Sequence, residues 1–170
     1  MEPSKETVLD HVASVFSRMY TSNTKVNMNA CQFSCQRKAL IEECMVMLKR
    51  RSPTTHKIFL SIVNSRGFRV EMHGRGTCAI SNRDLDVLRR IILTDSDHTD
   101  DYVVRSDMVP IIQSFYAFVH WESFVTLQLY DRDLTEQSAE WKDKIWQTYL
   151  EHYKMVKAIT TALHHKYSIY

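Results

Sequence analysis

Residues 67–93 read GFRVEMHGRGTCAISNRDLDVLRRIIL, and the fold class turns on how this stretch divides. All three glycines of the chain, Gly67, Gly74 and Gly76, lie in it. Phe68, Val70 and Met72 alternate with Arg69, Glu71 and His73, the period of two that a strand requires. The short run from Thr77 to Ser81 carries Ile80. This reads as a β-hairpin near 68–81 whose turn holds Gly74-Arg75-Gly76, since glycine reaches the backbone conformations that tight turns need. From Asn82 onward the period changes. Leu85, Leu88, Ile91, Ile92 and Leu93 recur at helical intervals, so Asn82 is expected to cap a helix. No other strand pair is visible, and a lone hairpin is marginal in water, so the hairpin is expected to lie against helices.

Towards the N-terminus, Ser52-Pro53 marks a stop and a restart, because proline's missing N–H costs nothing at a first helical position. The helix it opens carries Ile58, Phe59, Ile62 and Val63 and is expected to end at Gly67. Before it, a helix from Asn29 to about Arg51 is expected, with Phe33, Leu40, Ile41, Cys44, Met45 and Leu48 apolar. Thr21 to Asn29 reads as a loop. Ser4 is a candidate N-cap for a first helix reaching Tyr20, with Val8, Leu9, Val12, Val15, Phe16 and Met19 at helical spacing.

On the other side, Thr94 to Asp101 reads as an acidic loop. Ser106 to Tyr130 reads as a helix apolar on nearly every face, which marks a helix surrounded by others. The run Met108 to Tyr130 approaches membrane-spanning length, but Pro110, Gln113, His120, Glu122 and Gln128 interrupt it, and a charge at mid-bilayer is costly. A buried central helix is the expectation. A last helix begins at Leu134-Thr135 and reaches about Tyr167, with Trp141, Ile145, Tyr149, Val156, Ile159 and Leu163 as its stripe. The expected fold class is therefore all-α, about six helices in a bundle-like array with one small β-hairpin near 68–81. A single domain over 1–170 is expected, with a faint boundary near 94–101.

Composition agrees with an ordinary globular domain: 170 residues, 44% hydrophobic and 25% charged. Such a chain buries roughly 70% of its unfolded surface and needs no covalent staples. Four cysteines are too sparse for a disulfide scaffold, and the first residues show no signal-peptide pattern. Reduced thiols in the cytoplasm or the nucleus, and no membrane association, are expected.

The motifs that carry chemistry are mostly missing. With glycine confined to 67–76 there is no G-x-G-x-x-G, no phosphate-binding P-loop and no G-x-S-x-G elbow. Cys31 and Cys35 lie one helical turn apart, but no second close pair completes a zinc site. Asp95, Asp97, Thr99 and Asp101 start like a calcium loop, yet Asp100 stands where glycine is needed and Ser106 where glutamate is needed. His164-His165 is the only adjacent histidine pair and has no evident nucleophile beside it. Neither catalysis nor a cofactor or metal is expected.

Charge supplies the positive signal. Between Arg37 and Arg75 nine Lys/Arg face three Glu, a surplus of +6 inside a chain of net +2. Gly76 to Asp107 follows with four Arg and seven Asp. Arg37, Lys38, Lys49, Arg50, Arg51, Lys57, Arg66, Arg69 and Arg75 are the candidate nucleic-acid-binding residues, with His56 beside them, because cations release counterions from a phosphate backbone. The helix start at Thr54-Thr55 adds backbone donors, and Phe68 among the arginines suits base stacking.

The segment from Trp121 to Tyr130, WESFVTLQLY, resembles the W-x-x-F-V-x-L part of the second homology motif in the apoptosis-regulating helical bundle family. That resemblance implies an apolar central helix and a groove for a partner's amphipathic helix. The family's Asn-Trp-Gly-Arg motif is missing and no glycine precedes Trp121, so the likeness is not counted as membership. Two functions follow from the whole reading. One is a regulatory protein binding RNA backbone through the basic segment, working as a homo-oligomer, of the kind a virus uses to modulate host defence. The other is a protein–protein module, an adaptor or inhibitor that holds a partner helix in a groove.

Overall fold

A computed structural model describes residues 2–20, 28–129 and 138–165. The N-terminal part of the chain is helical. Helix α1 (Lys5–Tyr20) starts behind Ser4, whose Oγ accepts the Thr7 N–H at 3.2 Å. It buries Val8, Val12 and Phe16. Helix α2 (Met28–Arg51) buries Phe33, Leu40, Cys44 and Leu48. It ends where Ser52 N–H bonds the Leu48 carbonyl at 2.8 Å, and Pro53 opens α3 (Pro53–Asn64), which stops three residues short of Gly67. Of the loop expected over Thr21–Asn29, residues 21–27 lie outside the described residues, and α2 has already begun at Met28.

The part of the chain between the helices departs from the all-α expectation. Residues 67–105 form a three-stranded antiparallel sheet, β1 (Gly67–Thr77), β2 (Asp84–Thr94) and β3 (Thr99–Arg105), in the order β1-β2-β3. The small hairpin is thus half of a larger sheet, and its turn is elsewhere. Gly74-Arg75-Gly76 lies inside β1, where the register with β2 slips between Met72 and Gly74 and again between Gly74 and Gly76. Gly74 has φ +89°, a conformation that suits glycine, and the bulges bend the strand. The turn itself runs from Cys78 to Arg83, closed by Cys78 N–H to the Arg83 carbonyl at 2.9 Å. Asn82 adopts φ +55° there, so it is a turn residue and not a helix cap. The bend carries the tip back over the sheet: Ala79 N–H donates to the Val103 carbonyl of β3 at 2.7 Å, burying Cys78 and Ile80.

The expected helix after Asn82 is the central strand β2. Leu85, Leu88, Ile91 and Ile92 fit a helical face, but strands on both sides pair with them and override that local pattern. Leu88 and Ile92 face one side of the sheet, Ile91 and Leu93 the other, and all four are buried. A strand covered on both faces reads as a continuous apolar run, which resembles a buried helix. Of the acidic loop, only 95–98 is a turn, closed by Asp95 N–H to the His98 carbonyl at 2.8 Å; Thr94 ends β2 and Thr99–Asp101 begin β3.

The expected helix from Ser106 to Tyr130 is broken. A 3-10 turn (Ser106–Met108) leads into α4 (Val109–Val119), which stops at His120. A short α5 (Trp121–Phe124) and a π-turn (Val125–Leu129) follow. His120 Nε2–H donates to the Ile62 carbonyl at the end of α3, 2.8 Å away, so the break is held by a tertiary contact. Ile112, Phe115, Phe118, Trp121 and Val125 are buried, as a central helix predicts. Among the described residues no helix is long and apolar enough to cross a membrane. Helix α6 (Ala139–His164) starts behind Ser138, whose Oγ accepts the Trp141 N–H at 3.1 Å. Its whole expected stripe, Trp141, Ile145, Tyr149, Val156, Ile159 and Leu163, is buried against α1, α2 and α4. The start and end expected for it, Leu134-Thr135 and Tyr167, lie outside the described residues.

Candidate functional site

The nine candidate cations do not form one surface. Arg37 is an interior residue. Its side chain is 10% exposed, its Nη2 pairs with Glu122, and its Nη1 donates to the Phe118 carbonyl at 3.3 Å. The guanidinium also lies 5.7 Å from the Phe33 ring centre. His11 Nε2 sits 3.2 Å from the same Glu122 oxygen, and His11 Nδ1 lies 3.4 Å from Ser34 Oγ. Burial works to raise the Glu122 carboxyl. His11 and Arg37 outweigh it and hold the group down at about 2. This cluster ties α1, α2 and α5 together.

Three further cations lie at the sheet beside acids. Arg66 is 3.7 Å from Asp95, Arg69 is 3.1 Å from Glu71, and Arg75 is 3.7 Å from Asp86. Their local charge is balanced. Lys38, Lys49, Arg50, Arg51 and Lys57 are exposed and have no ion pair among the described residues. Lys38 precedes Lys49 by eleven residues, about 16 Å along α2, so it stands apart from the others. Lys49, Arg50, Arg51 and Lys57 flank the α2–α3 corner, where three of them also complement the negative end of α2. At the start of α3, Thr55 is buried and its hydroxyl is engaged with Ser52 Oγ at 2.8 Å.

Phe68 does not stand free among arginines. Its ring stacks on Tyr116 of α4, with centroids 5.0 Å apart, and Tyr116 Oη donates to the Arg66 carbonyl at 3.0 Å. This pair forms one wall of an open groove of about 540 Å³ between the start of β1 and helices α4, α5 and α6. Phe124 and Leu127 form the other wall, and Leu127 is 77% exposed. The Phe124 ring meets His152 of α6 edge-on at 5.4 Å. His152 Nδ1 pairs with Ser114 Oγ at 3.2 Å, while its buried Nε2 has no hydrogen-bond partner among the described residues. Burial outweighs the nearby Glu151 carboxylate and lowers the His152 pKa, which favours the neutral imidazole. The groove therefore combines Phe68, Tyr116, Phe124 and Leu127 with the polar side chains of Arg66, Gln113, Ser123 and His152, a mixture of apolar and polar groups that a recognition cleft can use.

Of these groove residues, Arg66 and Phe68 are singled out in the sequence only for nucleic-acid contact, Phe124 and Leu127 only through the resemblance of 121–130, and Gln113, Tyr116 and His152 lie in stretches read as helix. The available signal was the apolar excess of 108–130, more than one buried helix face needs. Among the described residues no three His, Cys, Asp or Glu side chains converge as a metal site would require. Cys44 and Cys78 are buried and Cys35 is exposed; burial pushes the Cys44 thiol up to about 11. Comparison with protein-family models, with curated proteins and with solved structures finds no match.

Proposed function

We propose that this protein is a non-enzymatic interaction module whose groove beside the start of β1 receives an amphipathic helix of a partner protein. The observation that carries this reading is the groove itself, lined by Phe68, Tyr116 and Phe124 beside a few polar side chains, with Leu127 77% exposed in its lining. An exposed leucine next to exposed parts of Phe68, Tyr116 and Phe124 suits a partner's apolar stripe at i, i+3, i+4 and i+7. The test is fluorescence anisotropy with a panel of labelled amphipathic helical peptides, each beside a scrambled control of the same composition. At least one peptide is expected to bind above its control, and Leu127→Glu is expected to weaken it about tenfold or more, because a carboxylate would be desolvated in the contact. Leu127 is exposed, so the melting temperature should stay unchanged. No peptide exceeding its control would overturn the reading.

A second reading rests on the α2–α3 corner. Lys49, Arg50, Arg51 and Lys57 stand exposed without ion pairs among the described residues, which favours contact with a phosphate backbone such as RNA. Anisotropy with labelled single- and double-stranded RNA at low and high salt tests it. Binding should fall steeply with salt and be lost in Arg50→Glu with Arg51→Glu, while Arg75→Glu should matter little because Asp86 already offsets Arg75. Binding that survives the double reversal would remove this corner as the contact.

A further inference from the structure

Strand β1 lies at the edge of the sheet, with β2 as its only neighbour. From Gly67 to Met72 it pairs one-to-one with Thr94 to Arg89, without a bulge. Among the described residues, no hydrogen bond beyond the β1–β2 ladder reaches the backbone of residues 68–72. Natural edge strands are commonly blunted by proline, lysine, a bulge or a covering element. Residues 67–72 contain no proline, the bulges come only after them, and their two charged side chains, Arg69 and Glu71, are of opposite sign, so they do not set like charge against like in every pairing. Met72 is 72% exposed on the same strand face as Phe68 and Val70. Arg69 and Glu71 project from the other face, where their side chains are 68% and 44% exposed.

The charges on this edge are arranged to read themselves. In an antiparallel pairing of two copies centred on Val70, Arg69 of each copy lies opposite Glu71 of the other. Phe68 of each copy then lies opposite Met72 of the other. Centring the pairing one residue either way sets Arg69 against Arg69 or Glu71 against Glu71, and like charges directly opposite destabilise a pair. The sequence therefore selects a single register among neighbouring ones. We propose that the occupant of the β1 edge is a second copy of this chain, joined antiparallel and centred on Val70, so that two three-stranded sheets become one six-stranded sheet. The two-fold axis makes the contact self-complementary and closed. Each copy brings its exposed Met72 against Phe68 of the other, beside the mouth of the groove, where open space is available. The edge becomes paired and its backbone groups satisfied.

This inference does not depend on the groove reading. Its test is sedimentation velocity on the full chain across the micromolar range. Wild type is expected to show a reversible monomer–dimer equilibrium. Arg69→Glu and Glu71→Arg are each expected to weaken self-association about tenfold or more, because two attractive pairs become two repulsive ones. An equimolar mixture of the two variants is expected to dimerise again, since one copy then presents two carboxylates to the two guanidiniums of the other across the interface. The double variant, with both charges exchanged, should recover self-association by itself. Arg69→Glu is expected to melt close to wild type, whereas Glu71→Arg faces Arg90 of β2 and should melt slightly lower, so both are sedimented at a temperature where circular dichroism shows them folded. A wild type that sediments as a monomer throughout, single variants that dimerise like wild type, or a mixture that stays monomeric would each overturn the proposal. Peptide binding measured on Arg69→Glu reads the groove separately.

Discussion

Glu122→Ala is expected to lower stability by about 3 kcal/mol, and the melting temperature by about 6–12 °C for a chain of this length. The cost arises less from the lost carboxylate than from what it leaves behind. The Arg37 side chain is 10% exposed and that of His11 is 7% exposed, so neither can turn to water when Glu122 is gone. An uncompensated guanidinium in such a position carries its desolvation penalty alone. Removing both charges should cost less than removing one. Arg37→Met combined with Glu122→Ala is expected to recover about half of the loss, and a double-mutant cycle by urea denaturation reads the coupling.

The same cluster sets a pH dependence. The folded-state pKa of Glu122 lies at about 2, below its ordinary 4.5. Folding therefore favours the ionised form, and the contribution is complete above the ordinary value. It is lost as pH falls from about 5 towards 2, as the carboxylate of the folded protein takes up its proton. The full gap would correspond to about 3 kcal/mol, but 40% of the Glu122 side chain is exposed, and solvent screening brings the expected contribution to about 1–2 kcal/mol. Stability measured across this window should fall by that much more in wild type than in Glu122→Ala. Equal slopes for the two proteins would show that the carboxylate is not held by its partners.

What sequence could and could not disclose follows from where each determinant lies. Helices α1, α3 and α6 were legible because their signals are local: Ser4 caps the first, Pro53 opens the second, and the stripe of α6 repeats at 3.6 residues. Strand β2 was not, because Leu85, Leu88, Ile91 and Ile92 satisfy a helical period equally well. What makes them a strand is hydrogen bonding on one side to β1, which reads as half of a small hairpin, and on the other to β3, whose first residues read as an acidic loop. The break at His120 carries no glycine or proline. What the structure places there is a hydrogen bond from His120 to the Ile62 carbonyl, 58 residues earlier in the chain. Arg37 shows the same limit for function. Read in sequence it belongs to a basic block, yet its partner Glu122 lies 85 residues away, and only the fold brings the two together. Charge counting along a chain overstates a surface when a member of the block is consumed inside and others meet acids across a strand.

Trp121→Ala is expected to be the most damaging single truncation next to the groove, costing about 4 kcal/mol. Trp121 is fully buried, meets Tyr149 edge-on at 5.0 Å and stacks with Phe124 at 5.9 Å. Removing the indole opens a cavity where α5 meets α6, and Phe124 loses the ring that holds it in the groove wall. Stability and peptide binding should therefore fall together, unlike Leu127→Glu, which should lose binding alone. Trp121→Phe separates packing from polarity. The indole Nε1–H is buried with no hydrogen-bond partner among the described residues, an arrangement that itself costs about 1–3 kcal/mol. Phenylalanine gives up part of the packing but removes that orphan donor, so its net cost is expected to be about 1 kcal/mol or less, with peptide binding retained. Urea denaturation of the two variants reads the difference. If Trp121→Phe proved as damaging as Trp121→Ala, the indole N–H would have a partner in solution. If Trp121→Ala kept full peptide binding while losing stability, the groove wall would not depend on the Trp121–Phe124 stack.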